Sequence, residues 1–178
     1  MSVNDYIASH REELGIHQFA FIQTSDLIFS DGVRKLCEMN SCGQYGKTWA
    51  CPPGVGTLEE CKEKILKYEN LFVFTTMHPL EDSFDFEGMT AGRVRHNEIC
   101  PAVVNVFREN YEHLLILSAE GCERCKTCTY PDAPCRFPET LYPSIESYGV
   151  EVNRLAATAG INYINGANTV TYFGCIAY

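Results

Sequence analysis

Four cysteines, Cys122, Cys125, Cys128 and Cys135, stand within Gly121–Pro138, and the first three are separated by strict two-residue gaps. Thiolates are soft ligands that select zinc and iron–sulfur centres over hard cations. A single C-x2-C pair grips a zinc ion or forms a redox disulfide. A C-x2-C-x2-C triple offers one thiolate to each of three irons of a cubane, and a more distant cysteine close to proline completes the set. Cys135, which follows Pro134, holds that place. Six residues separate it from Cys128, whereas in a C-x2-C-x2-C-x3-C run the fourth cysteine follows after three and serves another cluster. Either the loop here is wider or the fourth ligand comes from elsewhere. The expected cofactor is a [4Fe–4S] cluster, one or two per chain. Zinc is the alternative, and disulfides or idle thiols are the remaining reading.

Cys37, Cys42, Cys51 and Cys61 form a second group, at gaps of four, eight and nine residues. That spacing alone says little, but the residues between say more. Gly43, Gly46, Gly54 and Gly56 let backbone N–H groups turn inward. Such donors stabilise metal-bound sulfur. Pro52-Pro53 stiffens the chain beside Cys51, and Tyr45 and Trp49 either shield a site or plug the core beneath it. Two groups of four account for eight of the ten cysteines and leave Cys100 and Cys175. Cys175 lies in an apolar terminal run and reads as core. Cys100 reads as structural, or as a substitute for Cys61 or Cys135. Arg34, Lys47, Arg124, Lys126 and Arg136 are close to the cysteines in sequence. As a set they make a counter-charge for thiolate-ligated clusters.

The elements that must position these loops can be read along the chain. Asn4–Leu14 is a short amphipathic helix stopped by Gly15, and His17–Gln23 is a first strand that Leu27–Phe29 continues. His17 borders that strand as a solvated or hydrogen-bonded residue. Asp31–Glu38 makes helical turns that bring in Cys37. Asn40–Thr57 is a loop too long to be a mere connection. Thr57-x-x-Glu60 is a capping box that opens a helix over Leu58–Tyr68, with Cys61 in its first turn. Leu71–Met77 is a β-branched and aromatic strand. Met89–Ile99 and Pro101–Tyr111 are helical, with Pro101 a kink or a fresh start. His113–Ser118 is a strand feeding the second cysteine loop. Pro143-Ser144 starts a helical turn that Gly149 stops. Val152–Ala159 is a helix ending at Gly160. Ile161–Ile164 and Thr169–Tyr178 are expected to pair as a hairpin through Asn165-Gly166. The fold class is α+β: a mixed or antiparallel sheet with flanking helices and two cysteine-rich metal-binding loops, in one domain over residues 1–178.

The composition narrows the partners. A net charge of −9, with 14 scattered Lys and Arg residues, excludes a nucleic-acid surface. Met1–Glu13 is polar and lacks the apolar centre of a signal peptide. No run approaches the roughly 18 apolar residues of a membrane span. The expected location is therefore cytoplasmic, where thiols stay reduced and serve metals rather than disulfides. No G-x-G-x-x-G follows a strand and no G-x4-G-K-[ST] occurs, so electrons would come from another protein.

Read together, Cys37-x4-Cys42-Gly-x-Tyr45-Gly-Lys-x-Trp49-x-Cys51-Pro-Pro and Gly121-Cys-x2-Cys-x2-Cys128, followed by Pro134-Cys-Arg-x-Pro138, resemble a bacterial and archaeal family catalogued as a predicted metal-binding, cysteine-rich domain of unknown function. The similarity includes Pro143-Ser-Ile-Glu-Ser-Tyr-Gly-Val-Glu-Val152 and runs from about Val33 to Gly160. It implies metal at Cys37, Cys42, Cys51, Cys122, Cys125, Cys128 and Cys135, with Cys61 as the eighth candidate, and it suggests iron–sulfur centres without a substrate. The resulting expectation is an iron–sulfur protein that passes single electrons to a redox partner protein. One alternative is a zinc protein whose four-cysteine sites brace an interaction surface. Another is an enzyme with an open iron, for which His78, His96, His113 and Glu139 are acid–base candidates without diagnostic spacing.

Overall fold

The computed structural model describes residues 2–178, and Met1, the first residue of the polar N-terminal stretch, lies outside them. Four strands form one antiparallel sheet: β1 (Gln18–Gln23), β2 (Asn70–Pro79), β3 (Leu115–Leu117) and β4 (Thr169–Ala177), in the order β1-β2-β4-β3. The helices are α1 (Val3–His10), α2 (Asp31–Glu38), α3 (Leu58–Ile65), α4 (Phe86–Arg108) and α5 (Val152–Ala159). The expected α+β class holds, and its sheet is the antiparallel one of the two kinds considered.

Both faces of the sheet are buried, which explains why β2 reads as a continuous apolar run. Side chains alternate across a strand. Leu71 and Val73 of β2 join Phe173, Cys175 and Ala177 of β4 beneath α3 and α5. Phe72, Phe74 and Ile176 face the other way, onto Ile7 of α1 and onto Ile99, Val103, Val104 and Phe107 of α4. Gly174 belongs to this packing: a Cβ there would stand 2.5 Å from the Phe74 ring. Pro101 neither breaks α4 nor starts a second helix. The one lost backbone bond is offset by the buried stripe that runs through it.

Several expectations change, and the first helix ends at His10 rather than at Leu14. The capping box at Thr57 and Glu60 is formed, but its helix ends at Ile65 rather than Tyr68. Leu27–Phe29 does not extend β1; Thr24–Asp26 turns as a 3-10 helix and Phe29 makes an isolated bridge to Val150. Ile161–Ile164 is not a strand, and Tyr163 and Ile164 are exposed. The backbone donors of the segment are engaged elsewhere: Ile161 N–H closes the end of α5 on Ala156 O at 2.9 Å, and Asn162 N–H donates to Gln18 Oε1 of β1 at 3.0 Å. Among the described residues, no helix is long and apolar enough to cross a membrane.

The two cysteine loops leave this framework where its chain is pinned. The first connects α2 to α3. The second leaves the sheet at Ser118 and returns at Ser144, a parallel bridge closing its neck. There Ser118 N–H donates to Pro143 O at 2.9 Å and Ile145 N–H to Ser118 O at 3.1 Å.

Candidate metal centres

The second loop gathers its thiols without regular secondary structure. Cys122, Cys125, Cys128 and Cys135, each partly buried, line a single cavity of about 680 Å³. Backbone donors are already aimed at the sulfurs. The N–H of Tyr130 reaches Cys128 Sγ at 3.5 Å, and that of Phe137 reaches Cys135 Sγ at 3.4 Å. The Arg124 N–H acts on Cys122 in the same sense, against burial and the neighbouring thiols, which push the Cys122 thiol up. In each case the donor lies two residues beyond its cysteine. Lys47, Arg124, Lys126 and Arg136 line the same cavity. Arg136 braces the loop through Thr127 O at 2.9 Å.

The first loop contributes Cys37, from the last turn of α2, with Cys42 and Cys51. All three line another cavity, of about 900 Å³. Burial pushes the Cys51 thiol up to about 11, against the pull of the Thr48 hydroxyl. Cys42, Cys37 and Cys122 push it further. Burial also raises the Cys37 thiol, followed by the charge of Glu146. A metal held here would have to displace protons, and its binding would weaken in acid. Among the described residues, the buried Thr48 hydroxyl makes no full hydrogen bond, and the Cys51 sulfur is the acceptor it acts on. A buried donor wants an acceptor, and a metal-bound thiolate at nearby Cys51 is one.

The cavities share a wall. Gln44 and Glu123 line both. A Cβ on Gly121 would stand 2.9 Å from Gln44, so the chain there must be glycine or the wall must shift. Trp49 of the first loop donates its indole N–H to Ala133 O of the second at 3.1 Å, and its ring meets Tyr130 edge-on at 4.9 Å. Trp49 thus joins the loops rather than plugging the sheet core.

The structure does not bring all eight candidate cysteines to these cavities. Among the described residues, Cys61 lines neither; it is buried in the core beneath α3, with Val55 O at 3.7 Å and the Arg34 guanidinium at 3.8 Å. Arg34 is accordingly a core brace and not a cavity cation. Cys175 is a core residue, and Cys100 is buried against His96 and Ser118, each at 3.4 Å. His17 is hydrogen-bonded to Asn165. His96 and His78 converge on Thr76 at 2.9 and 3.0 Å. Among the described residues, no three His, Cys, Asp or Glu side chains already stand close enough to hold a single ion. All ten cysteines are free thiols.

Glu146 escaped the residue reading. It lies in the first cavity, in the 3-10 turn Glu146–Tyr148. Its side chain is exposed on the cavity wall, where the protein packed around it and the charge of Glu120 hold its carboxyl above the usual range. The signal was present in Ser144-Ile-Glu-Ser-Tyr-Gly149, but no metal spacing marks it.

Residues 20–177 match the family model described as "Predicted metal-binding protein (DUF2284)". No curated protein sequence matches the chain. Among solved structures, the chain is similar to epoxyqueuosine reductase from Bacillus subtilis, with a TM-score of 0.47 and 9 % identity. A selenomethionine-labelled epoxyqueuosine reductase gives a TM-score of 0.46 and 8 % identity. Each likeness covers 98 % of this chain and 45 % of the other, so this chain spans under half their length.

Proposed function

The chain belongs to the predicted metal-binding family DUF2284, and we propose that it is an iron–sulfur protein with two adjacent cysteine-ligated [4Fe–4S] centres that relay electrons to a partner protein. One observation carries this reading: the four thiols of the second loop line one cavity, and backbone N–H groups already point at the sulfurs of Cys128 and Cys135. Cys122, Cys125, Cys128 and Cys135 would hold one cluster. Cys37, Cys42 and Cys51 would hold the other. The donor set suits iron–sulfur ligation, since each thiolate takes one iron and N–H donors offset the charge on sulfur.

When bound, such clusters exchange single electrons. The chain's own residues do the rest. Trp49 and Tyr130 lock the loops to each other, and Gln44 and Gly121 keep the wall between the centres thin. Lys47, Arg124, Lys126 and Arg136 offset negative charge at the second centre. The acidic surface suits a basic redox partner, and the cytoplasm keeps the thiols reduced.

The test is to count iron, zinc and acid-labile sulfide on chains purified without oxygen. About eight irons and eight sulfides per chain, with a broad visible band, are expected for two cubanes. About two zincs and no sulfide would reject electron transfer in favour of structural sites.

A further inference from the structure

We propose that Thr76, His96, Ser118 and Cys100 conduct protons from His78 to a cavity beside the second centre, where Cys100 hands them to a small anionic acceptor that the centre reduces. The proposal rests on the second centre of the reading above and adds a reaction to it.

Five polar side chains meet where β2, α4 and the end of β3 converge. Thr76 Oγ1 stands 3.0 Å from His78 Nε2 and 2.9 Å from His96 Nδ1. The other ring nitrogen of His96 stands 3.4 Å from Cys100 Sγ and 3.3 Å from Ser118 Oγ, and those two atoms are 3.4 Å apart. Thr76, His96, Cys100 and Ser118 are buried, and His78 is half-buried. Gly92 lets α4 lie this close to β2, since a Cβ there would stand 3.0 Å from His78. A histidine needs one partner on each ring nitrogen to be satisfied in a core. Here the file continues past both partners, at a desolvation cost for every further member.

Each member both donates and accepts, which is what a relay requires. Among the described residues, no carboxylate is hydrogen-bonded to any of the five, so no fixed anion traps the proton. Arg95 acts on His78 from α4, Tyr172 stacks beside both histidines, and Tyr142 and Cys175 feel Cys100. Burial holds His96 down to about 4 and pushes Cys100 up to about 11. Both are therefore neutral at pH 7 and carry charge only in transit. When Cys100 gives up its proton, His96 Nε2–H replaces it, directly or through Ser118. His96 Nδ1 takes the Thr76 hydroxyl proton, Thr76 takes that of His78 Nε2, and solvent refills His78.

The inner end opens on a receiving site. Cys100 and Ser118 line a cavity of about 430 Å³ with Tyr142, Arg108 and Arg124. Cys122 and Arg124 line the cavity of the second centre as well. Glu123 also lines the smaller cavity, but Arg93 holds it at 2.6 Å. Among the described residues, neither Arg108 nor Arg124 is paired with a carboxylate. In a chain of net charge −9, that leaves positive charge for an anion. Two one-electron centres hold the two electrons of such a reduction, and each electron is matched by one proton from Cys100.

The test compares two oxidants of the full-length chain reduced with dithionite, in H2O and in D2O. Dichlorophenolindophenol, an anionic quinone-imine dye, takes a proton with each electron, whereas ferricyanide takes an electron alone. In the parent, dye reduction is expected to slow in D2O and ferricyanide reduction is not. Cys100→Ala and His96→Gln should each slow the dye on the order of 100-fold and leave ferricyanide unchanged. Cys100→Ser, which keeps a donor, should retain more of the dye rate than Cys100→Ala. The EPR signal of the reduced second centre reports folding in every variant. If His96→Gln does not fold, His78→Gln at the half-buried end must show the same selective loss. A parent dye rate without an isotope effect, or a dye rate equal in parent and Cys100→Ala, overturns the proton path alone. A parent chain without sulfide removes the second centre and the proposal with it.

Discussion

The two cysteine regions solve the same problem with opposite means. The second places four thiols within Cys122–Cys135 and surrounds them with Lys47, Arg124, Lys126 and Arg136. The first draws Cys37 from a helix, Cys42 and Cys51 from a loop, and faces them with glutamates. One region is local and lined by cations. The other is assembled from distant segments and lined by carboxylates. Cations favour the reduced, more negative form of a cluster, and carboxylates disfavour it. Electrons should therefore settle at the second centre.

The largest expected effect separates the regions outright. Cys125→Ser removes the middle thiol of the strict triple and should abolish the second centre, taking about half of the metal and sulfide. The first centre should stay measurable, because Cys37 is carried by α2, which Arg34 ties to Ser147 O and Gly56 O away from the second loop. Metal and sulfide analysis with EPR checks this. Unchanged content in that variant would end the assignment of the second loop, and loss of both centres would show that the regions are not separable.

A second prediction asks whether the cysteine regions alone make the protein acid-sensitive. His96 of α4 is buried among Thr76, Cys100, Ser118 and the Phe74 ring, with His78 and Tyr172 nearby. Burial, and then the charge of His78, lowers its pKa to about 4. The unfolded chain takes up this proton near pH 6.5, before the folded chain does. The stability it contributes is complete above about pH 6.5 and is lost as pH falls towards about 4, by on the order of 3 kcal/mol. His96→Gln should flatten that slope relative to the parent in denaturant titrations. Equal slopes would return all acid sensitivity to the thiolates.

The shared cavity of the local region was legible in the sequence because its thiols lie in one short stretch. Spacing alone assigns Cys122, Cys125 and Cys128 to one site. The same holds for the Thr57–Glu60 capping box, for Asp31–Glu38 and for the twice-buried strand Leu71–Met77, all set by near neighbours. The assembled region was only half legible. The spacing of Cys61 cannot reveal that Arg34 lies beside its sulfur. Glu146 is far along the chain from Cys51 and carries no metal-ligand pattern. The expected hairpin at Ile161–Ile164 failed for a like reason: its turn signal is local, but the segment's N–H groups are taken by the end of α5 and by Gln18, far away in sequence.

Arg34 sharpens the comparison further, because it braces one region only. Arg34→Met should leave the Ser147 and Gly56 carbonyls without their donor, at a cost of about 1–3 kcal/mol. The turn at Glu146 then loosens. Chelator challenge should strip the first centre faster while the second keeps its parental rate. Equal acceleration at both would mean that Arg34 acts through global stability instead.

The smallest expected effect tests the charge contrast by itself. Lys126 lines the second cavity and is exposed, which makes it a clean probe of charge. In Lys126→Gln the reduced cluster loses one nearby positive charge while the thiols stay in place. Its potential should fall by about 20 mV, the Coulomb energy of a unit charge roughly 10 Å away in water. The first centre should shift less, because distance and salt screen the change. Raising the ionic strength should shrink the difference between variant and parent, since an exposed charge acts through solvent. A shift of equal size at both centres, or one indifferent to salt, would show that the potentials are set by something other than the opposed linings of the two cavities.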